Sequence, residues 1–212
     1  MAAHTGKRRF GTVCALLGAA LACAAATGSA RAGEVSEEQI VKALTPASSG
    51  RMTRSLTPAE AGRKEEEDRF IKSVRNRVTR SLTMDEREKI AAITETKQER
   101  IDLEINFDSN SAIINAHAMP LAVKLGNALS KPEFKDRVFV IATHTDAKGS
   151  FPFNQDLSER RAEAIKRFLV ENNYIEPSQL VTVGYGKTKL KDVQHPFSGE
   201  NRRVQVVNVA DK

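Results

Sequence analysis

From about residue 100 onward, short strand-like and helix-like apolar patterns alternate, and their order constrains the fold more than any other feature of this 212-residue chain. Ile101, Leu103, Ile105 and Phe107 alternate with polar residues, the period-two signature of a half-buried strand. Residues 111–130 carry Ile114, Leu121, Leu125 and Leu129 at near-helical spacing, and Pro120 is placed to kink that helix or delay its start. Residues 137–142 form a continuous apolar run suited to a strand covered on both faces. A second helix is expected over about 154–172, then strand-like runs at 180–184 and 203–209. This order predicts an α/β fold, a βαβαββ sandwich with helices packed on a mixed sheet.

The amino terminus reads as a secretory signal over 1–32. It has a basic stretch Lys7-Arg8-Arg9, an apolar run from Phe10 to Ala26, and the small-residue site Ala30-Arg31-Ala32 before Gly33. The apolar run falls short of the roughly 20 residues that a spanning helix needs. Both cysteines, Cys14 and Cys23, lie inside it, so cleavage after Ala32 leaves a mature chain without thiol chemistry. Ala20-Leu21-Ala22-Cys23 is an imperfect lipoprotein box, with Leu two residues before the cysteine instead of three, and lipidation at Cys23 is the minor alternative. The formal charge of +6 also shrinks once the signal is set aside, because Lys7, Arg8, Arg9 and Arg31 face no acidic residue there. The 29 basic and 27 acidic residues that remain nearly balance, and with no Trp and only two Tyr the chain lacks the basic face of a nucleic-acid binder.

Residues 33–100 read as a charged spacer, partly helical or disordered, with 14 basic and 13 acidic groups and little aromatic content beyond Phe70. So little apolar surface does not offset the entropy of ordering the segment, which predicts a protease-resistant fragment beginning near residue 100. Within the spacer Arg51-Met52-Thr53-Arg54-Ser55-Leu56-Thr57 recurs as Arg77-Val78-Thr79-Arg80-Ser81-Leu82-Thr83. Two copies are too few for a solenoid. Thr83 stands where it would cap a helix with acidic residues in its first turn, and the repeat otherwise reads as a short motif that docks a partner. The segment also lacks the repeated alternating stretches of a transmembrane barrel.

The stretch richest in chemistry is Thr143-His144-Thr145-Asp146-Ala147-Lys148-Gly149-Ser150, followed by Asn154-Gln155-Asp156-Leu157-Ser158-Glu159-Arg160-Arg161-Ala162. Asp146 falls just past a buried strand, in a loop leading to a helix, where open α/β sheets place their ligands. Arg161 shares a helical stripe with Leu157, Ile165, Phe168 and Leu169, so its guanidinium is in line with core residues and needs a carboxylate from the protein or from a ligand. The histidines at 4, 117, 144 and 195 lack metal spacing, His144 reads as a loop-ordering residue, no Gly-x-Ser-x-Gly elbow is present, and Gly184-Tyr185-Gly186 marks a turn. No catalytic residue, cofactor or metal is therefore expected, and a hydrolase finds no convincing catalytic group.

Taken in order, Thr-Asp-x-x-Gly-Ser, Asn-x-x-Leu-Ser-x-x-Arg-Ala, Gly-Tyr-Gly at 184–186 and Asn-Arg-Arg-Val at 201–204, with Phe107-Asp108-Ser109-Asn110 upstream, resemble the OmpA carboxy-terminal domain, whose members include Pal and MotB. The resemblance covers about 101–212. It implies binding of the meso-diaminopimelate residue of the peptidoglycan stem peptide, with Asp146 and Arg161 as principal ligands. It also implies a pocket lined by Phe107, Asp108, Asn110, Asn154 and Leu157 and closed by Arg202. Strand alternation puts Arg202 and Arg203 on opposite faces and leaves open which one meets the ligand. Thr143 and Lys148 depart from the commoner residues of the family. The expected function is a non-covalent link between the cell wall and an outer-membrane or periplasmic partner. The alternative is a periplasmic adaptor whose 33–100 segment docks the partner while the wall domain localises it.

Overall fold

The strands lie on the predicted apolar runs, at Arg100–Leu103 (β1), Arg137–His144 (β2), Leu180–Gly186 (β3) and Val204–Asp211 (β4), except that β1 ends before Ile105 and Phe107. In this computed structural model residues 35–46 and 57–211 are described, so the signal segment, Cys14, Cys23 and the first heptapeptide as far as Leu56 lie outside the described residues. The sheet order is β1-β4-β2-β3, with β4 antiparallel to both neighbours and β2 parallel to β3. Two helices link the strands, at Met119–Leu129 and Phe151–Asn173, giving the expected βαβαββ order. Pro120 delays the first of them, because a proline is tolerated only where the first-turn N–H has no partner. Ser150 caps the second by accepting from the Phe153 N–H, and Pro152 sits in its first turn.

The largest departure from expectation lies upstream. Residues 33–100 supply three helices, α1 at Glu37–Leu44, α2 at Pro58–Val74 and α3 at Met84–Thr96, so that the two linking helices are α4 and α5. These helices do not form a spacer. On one sheet face Phe139, Ile141, Leu180 and Val206 pack against α4 and α5, joined by Ile40 and Leu44 of α1. On the other face Val138, Val140, Val181, Val183, Val207 and Val209 pack against Ile71 and Val74 of α2 and Ile90 and Ile93 of α3. The second face of an otherwise valine-lined sheet needs an apolar cover, and the extension provides it. Domain and extension form a single packing unit from Val35 onward, so the boundary expected at residue 101 is not a boundary of packing.

The heptapeptide has a structural role in this arrangement. Thr57 and Thr83, its last residues in the two copies, both head capping boxes, with Glu60 and Glu86 reaching back to the cap N–H groups of α2 and α3. In the second copy Leu82 is buried and Thr79 is fully so, its hydroxyl meeting Thr182 of β3 at 2.7 Å while its N–H donates to Glu163 of α5 at 2.7 Å. The segment thus runs beside the β3 edge, where an uncovered strand would be open to pairing. Just beyond it Arg87 and Glu159 form an ion pair at 2.7 Å with both side chains nearly buried.

Candidate functional site

The site is built at the carboxyl end of β2. Past His144 the loop is tied down at several points: the Asp146 carboxylate accepts from the Lys148 N–H at 3.1 Å, and Ala147 donates to the Pro196 carbonyl at 2.9 Å. The Asn154 amide donates to the carbonyls of Lys148 at 2.8 Å and Ser150 at 3.1 Å, fixing the loop to the first turn of α5. Gly149 turns the chain with φ of 93°, a value that an L side chain strains to adopt. Opposite, the segment after β1 turns at Asn110, which also has positive φ, at 58°. The Thr143 hydroxyl donates to the Ser158 carbonyl at 2.6 Å and so ties the strand end to α5.

Between these two loops opens a cleft of about 620 Å³. Asp146, Asn154, Leu157 and Arg161 line one side, and Phe107, Asn110 and Arg202 contribute from the other elements. Asp108 is the exception among the expected pocket residues. Its carboxylate turns away to accept from the Asn115 amide at 2.7 Å, and only its carbonyl faces the site, accepting from Arg161 at 3.2 Å. Of the tandem arginines, Arg202 lines the cleft and reaches Asp146 at 2.9 Å. Arg203 is buried beside Asp102 at 3.5 Å. Sequence reasoning missed Phe153, Thr145 and Ser109 in the cleft wall, and Ser111, whose carbonyl holds Arg161 at 2.9 Å. Phe153 carries no periodic signal, being a partly exposed aromatic in the first turn of a helix.

Arg161 is the unusual group. Only 7% exposed, it donates through Nε and Nη2 to two carbonyls and lies over the Phe107 ring at 4.9 Å. Among the described residues it forms no ion pair, because Asp146, the acid expected beside it, is held instead by Arg202. Burial pushes the Arg161 pKa down to about 10, with attraction from Asp146 opposing and repulsion from Arg160 and Arg202 adding to it. The cleft therefore sets one carboxylate, Asp146, against Lys148, Arg161 and Arg202. That balance leaves guanidinium donors in the cleft that a carboxylate can satisfy, beside one acid that can accept from a cation.

His144 lies beneath this cleft and is 4% exposed, its ring 5.4 Å from that of Tyr185. Burial first, then the Arg203 guanidinium, push its pKa down from 6.5 to about 3, against a pull from the Lys189 backbone. Between those values the unfolded chain binds a proton that the folded chain excludes, so stability falls as pH drops from about 6.5 toward 3, by up to about 1.4 kcal/mol per pH unit. His144→Leu should unfold thermally with a shallower loss of Tm between about pH 6.5 and pH 4 than the unaltered protein. Equal slopes would place the acid sensitivity elsewhere.

No helix among the described residues is long and apolar enough to cross a membrane, and no cluster of three metal-ligating side chains occurs among them. Comparison with known proteins matches residues 106–203 to the OmpA family model. Over 108 residues, 50% of this chain, it is 29% identical to outer membrane porin F of Pseudomonas fluorescens. Over 101 residues, 47% of this chain, it is 33% identical to the peptidoglycan-associated lipoprotein of Mesorhizobium japonicum. The matched parts are 32% of the porin and 58% of the lipoprotein. A solved peptidoglycan-associated lipoprotein from Burkholderia pseudomallei superposes with a TM-score of 0.40 at 27% identity, over 50% of this chain and 87% of that one.

Proposed function

We propose, from the match of residues 106–203 to the OmpA family model, that this chain binds peptidoglycan without chemical turnover, through the diaminopimelate residue of the stem peptide. The observation that carries the reading is the buried Arg161, which is held by carbonyls and a ring but has no carboxylate of its own among the described residues. The free end of diaminopimelate carries both an ammonium and a carboxylate. Asp146 accepts from the ammonium, and the Arg161 fork takes the carboxylate. Asn154 and Leu157 shape the wall between them, and Arg202, exposed over half its side chain at 51%, closes over the ligand and shares Asp146 with it.

On this reading the protein is a non-enzymatic envelope protein, exported through residues 1–32 to the periplasm or the outer membrane, where it links the wall to a protein partner. The adaptor reading, in which 33–100 serves mainly to dock a partner, draws less support, because Ile71, Val74, Ile90 and Ile93 are used to cover the sheet.

Ligand discrimination tests the proposal. Lysine at the same place in a stem peptide presents the ammonium without the carboxylate, which leaves a desolvated guanidinium unmatched at a cost of roughly 1–3 kcal/mol. Calorimetry should therefore show a diaminopimelate peptide binding about tenfold or more tightly than its lysine counterpart. Equal affinities would remove Arg161 as the source of specificity.

A further inference from the structure

A second groove, of about 710 Å³, runs along the outer side of α5 and meets the first cleft at Asn110, which lines both. Its floor is apolar, with Val78 and Ile113 exposed by 59% and 74% and Ala164 between them on α5. Its walls carry guanidinium groups. Arg80, from the turn of the second heptapeptide, and Arg160 share the single carboxylate of Asp156, at 2.9 and 2.8 Å, so each keeps N–H donors to spare. Arg167, one helical stretch further on, is exposed and has no hydrogen bond or ion pair with the described residues. The remaining acid, Glu163, is occupied with the Thr79 N–H and hydroxyl.

We infer that this groove is a second subsite of the same binding surface, taking a carboxylate of the stem peptide beyond its diaminopimelate end. The inference rests on the reading of the first cleft given above. Three features of the groove support it. It is continuous with that cleft across the Asn110–Ser111 ridge, and Ser111 also holds Arg161, so a peptide anchored at Arg161 leaves the cleft beside the groove. Its charge complements a chain that carries a free carboxylate on its glutamate. Its floor, built from small or branched apolar side chains, suits alanine methyl groups. A stem peptide extends by about 3.3–3.6 Å per residue, so two or three residues beyond the anchor reach well into a groove of this size. Arg80 and Val78 come from the extension and not from the 106–203 domain, so the extension contributes to recognition as well as to packing.

The test compares free meso-diaminopimelate with the tripeptide alanyl-γ-glutamyl-diaminopimelate by calorimetry on the full-length protein. The unaltered protein should bind the tripeptide more tightly than the free amino acid. Arg167→Glu should weaken the tripeptide by about tenfold or more, the scale of a lost charge-assisted contact, and leave the free amino acid unchanged. The same charge reversal at Arg63, on α2 and outside the groove, should change neither. An Arg167→Glu protein that binds the tripeptide normally, or that loses both ligands equally, overturns the subsite, as does an equal effect from Arg63→Glu. An unaltered protein that binds neither ligand overturns the function proposed for the first cleft, and the subsite with it.

Discussion

Arg161→Ala should abolish measurable retention on diaminopimelate-containing sacculi, with a loss on the order of 2–4 kcal/mol, about thirtyfold to a thousandfold in affinity. The effect has two sources. The guanidinium fork that takes the ligand carboxylate is gone, and the carbonyls of Asp108 and Ser111 lose the donors that hold their loop against α5. Arg161→Lys separates them, since a lysine keeps the charge but cannot reproduce the planar fork. It should recover much of the unaltered Tm while binding remains at least tenfold weakened. Asp146→Ala should behave differently again. It frees Arg202 from its 2.9 Å ion pair and makes the cleft more positive, so it weakens ligands through the ammonium while leaving the attraction for carboxylates. Isothermal titration with parallel thermal melts distinguishes these outcomes, and an Arg161→Ala protein that binds at normal strength would remove the residue from the site.

Deletion of residues 57–96 should destroy the domain. It would uncover Val138, Val140, Val181, Val183, Val207 and Val209 on one face of the sheet, all of them 5% exposed or less. Burial of a valine-sized side chain contributes about 1.5–3 kcal/mol, so six of them together are comparable with the roughly 5–15 kcal/mol by which domains are ordinarily stable. It would also leave Glu159 and Glu163 of α5 without Arg87 and Thr79, and removing one partner from a buried ion pair alone costs about 3–5 kcal/mol. The truncated chain should aggregate or unfold without cooperativity. Limited proteolysis of the full chain should leave a resistant core that still contains the Arg77–Thr83 segment, in contrast to the fragment from residue 100 that composition predicts. A soluble fragment beginning near 100 with a sharp thermal transition would restore the spacer.

These outcomes show which parts of the molecule could be read in the amino-acid order. The apolar run of β2 announced a strand covered on both faces, and both faces are covered. What covers the second face was hidden, because the apolar residues of the extension are few and set among charges. Ile71 and Val74, and Ile90 and Ile93, each lie three residues apart, enough for one helical turn to seal part of a sheet but too sparse to shift the composition of 68 residues. Arg161 was legible because a cation inside an apolar stripe is anomalous under helical periodicity alone. The choice of Arg202 over Arg203 was not, because strand alternation applies only within a strand and Arg202 lies before β4, at the end of a short turn over Gly199–Asn201. Asp108 shows the limit of a motif, which places a residue in a loop without fixing where its side chain turns. Asn115, seven residues later, captured its carboxylate.

The proposal that this chain grips the wall through Asp146 and Arg161 meets its most direct test in co-sedimentation with purified diaminopimelate-type sacculi. The unaltered protein should pellet saturably and be released by excess free meso-diaminopimelate but not by lysine. Protein that stays in the supernatant, or that pellets and is not released by the free amino acid, would contradict the account.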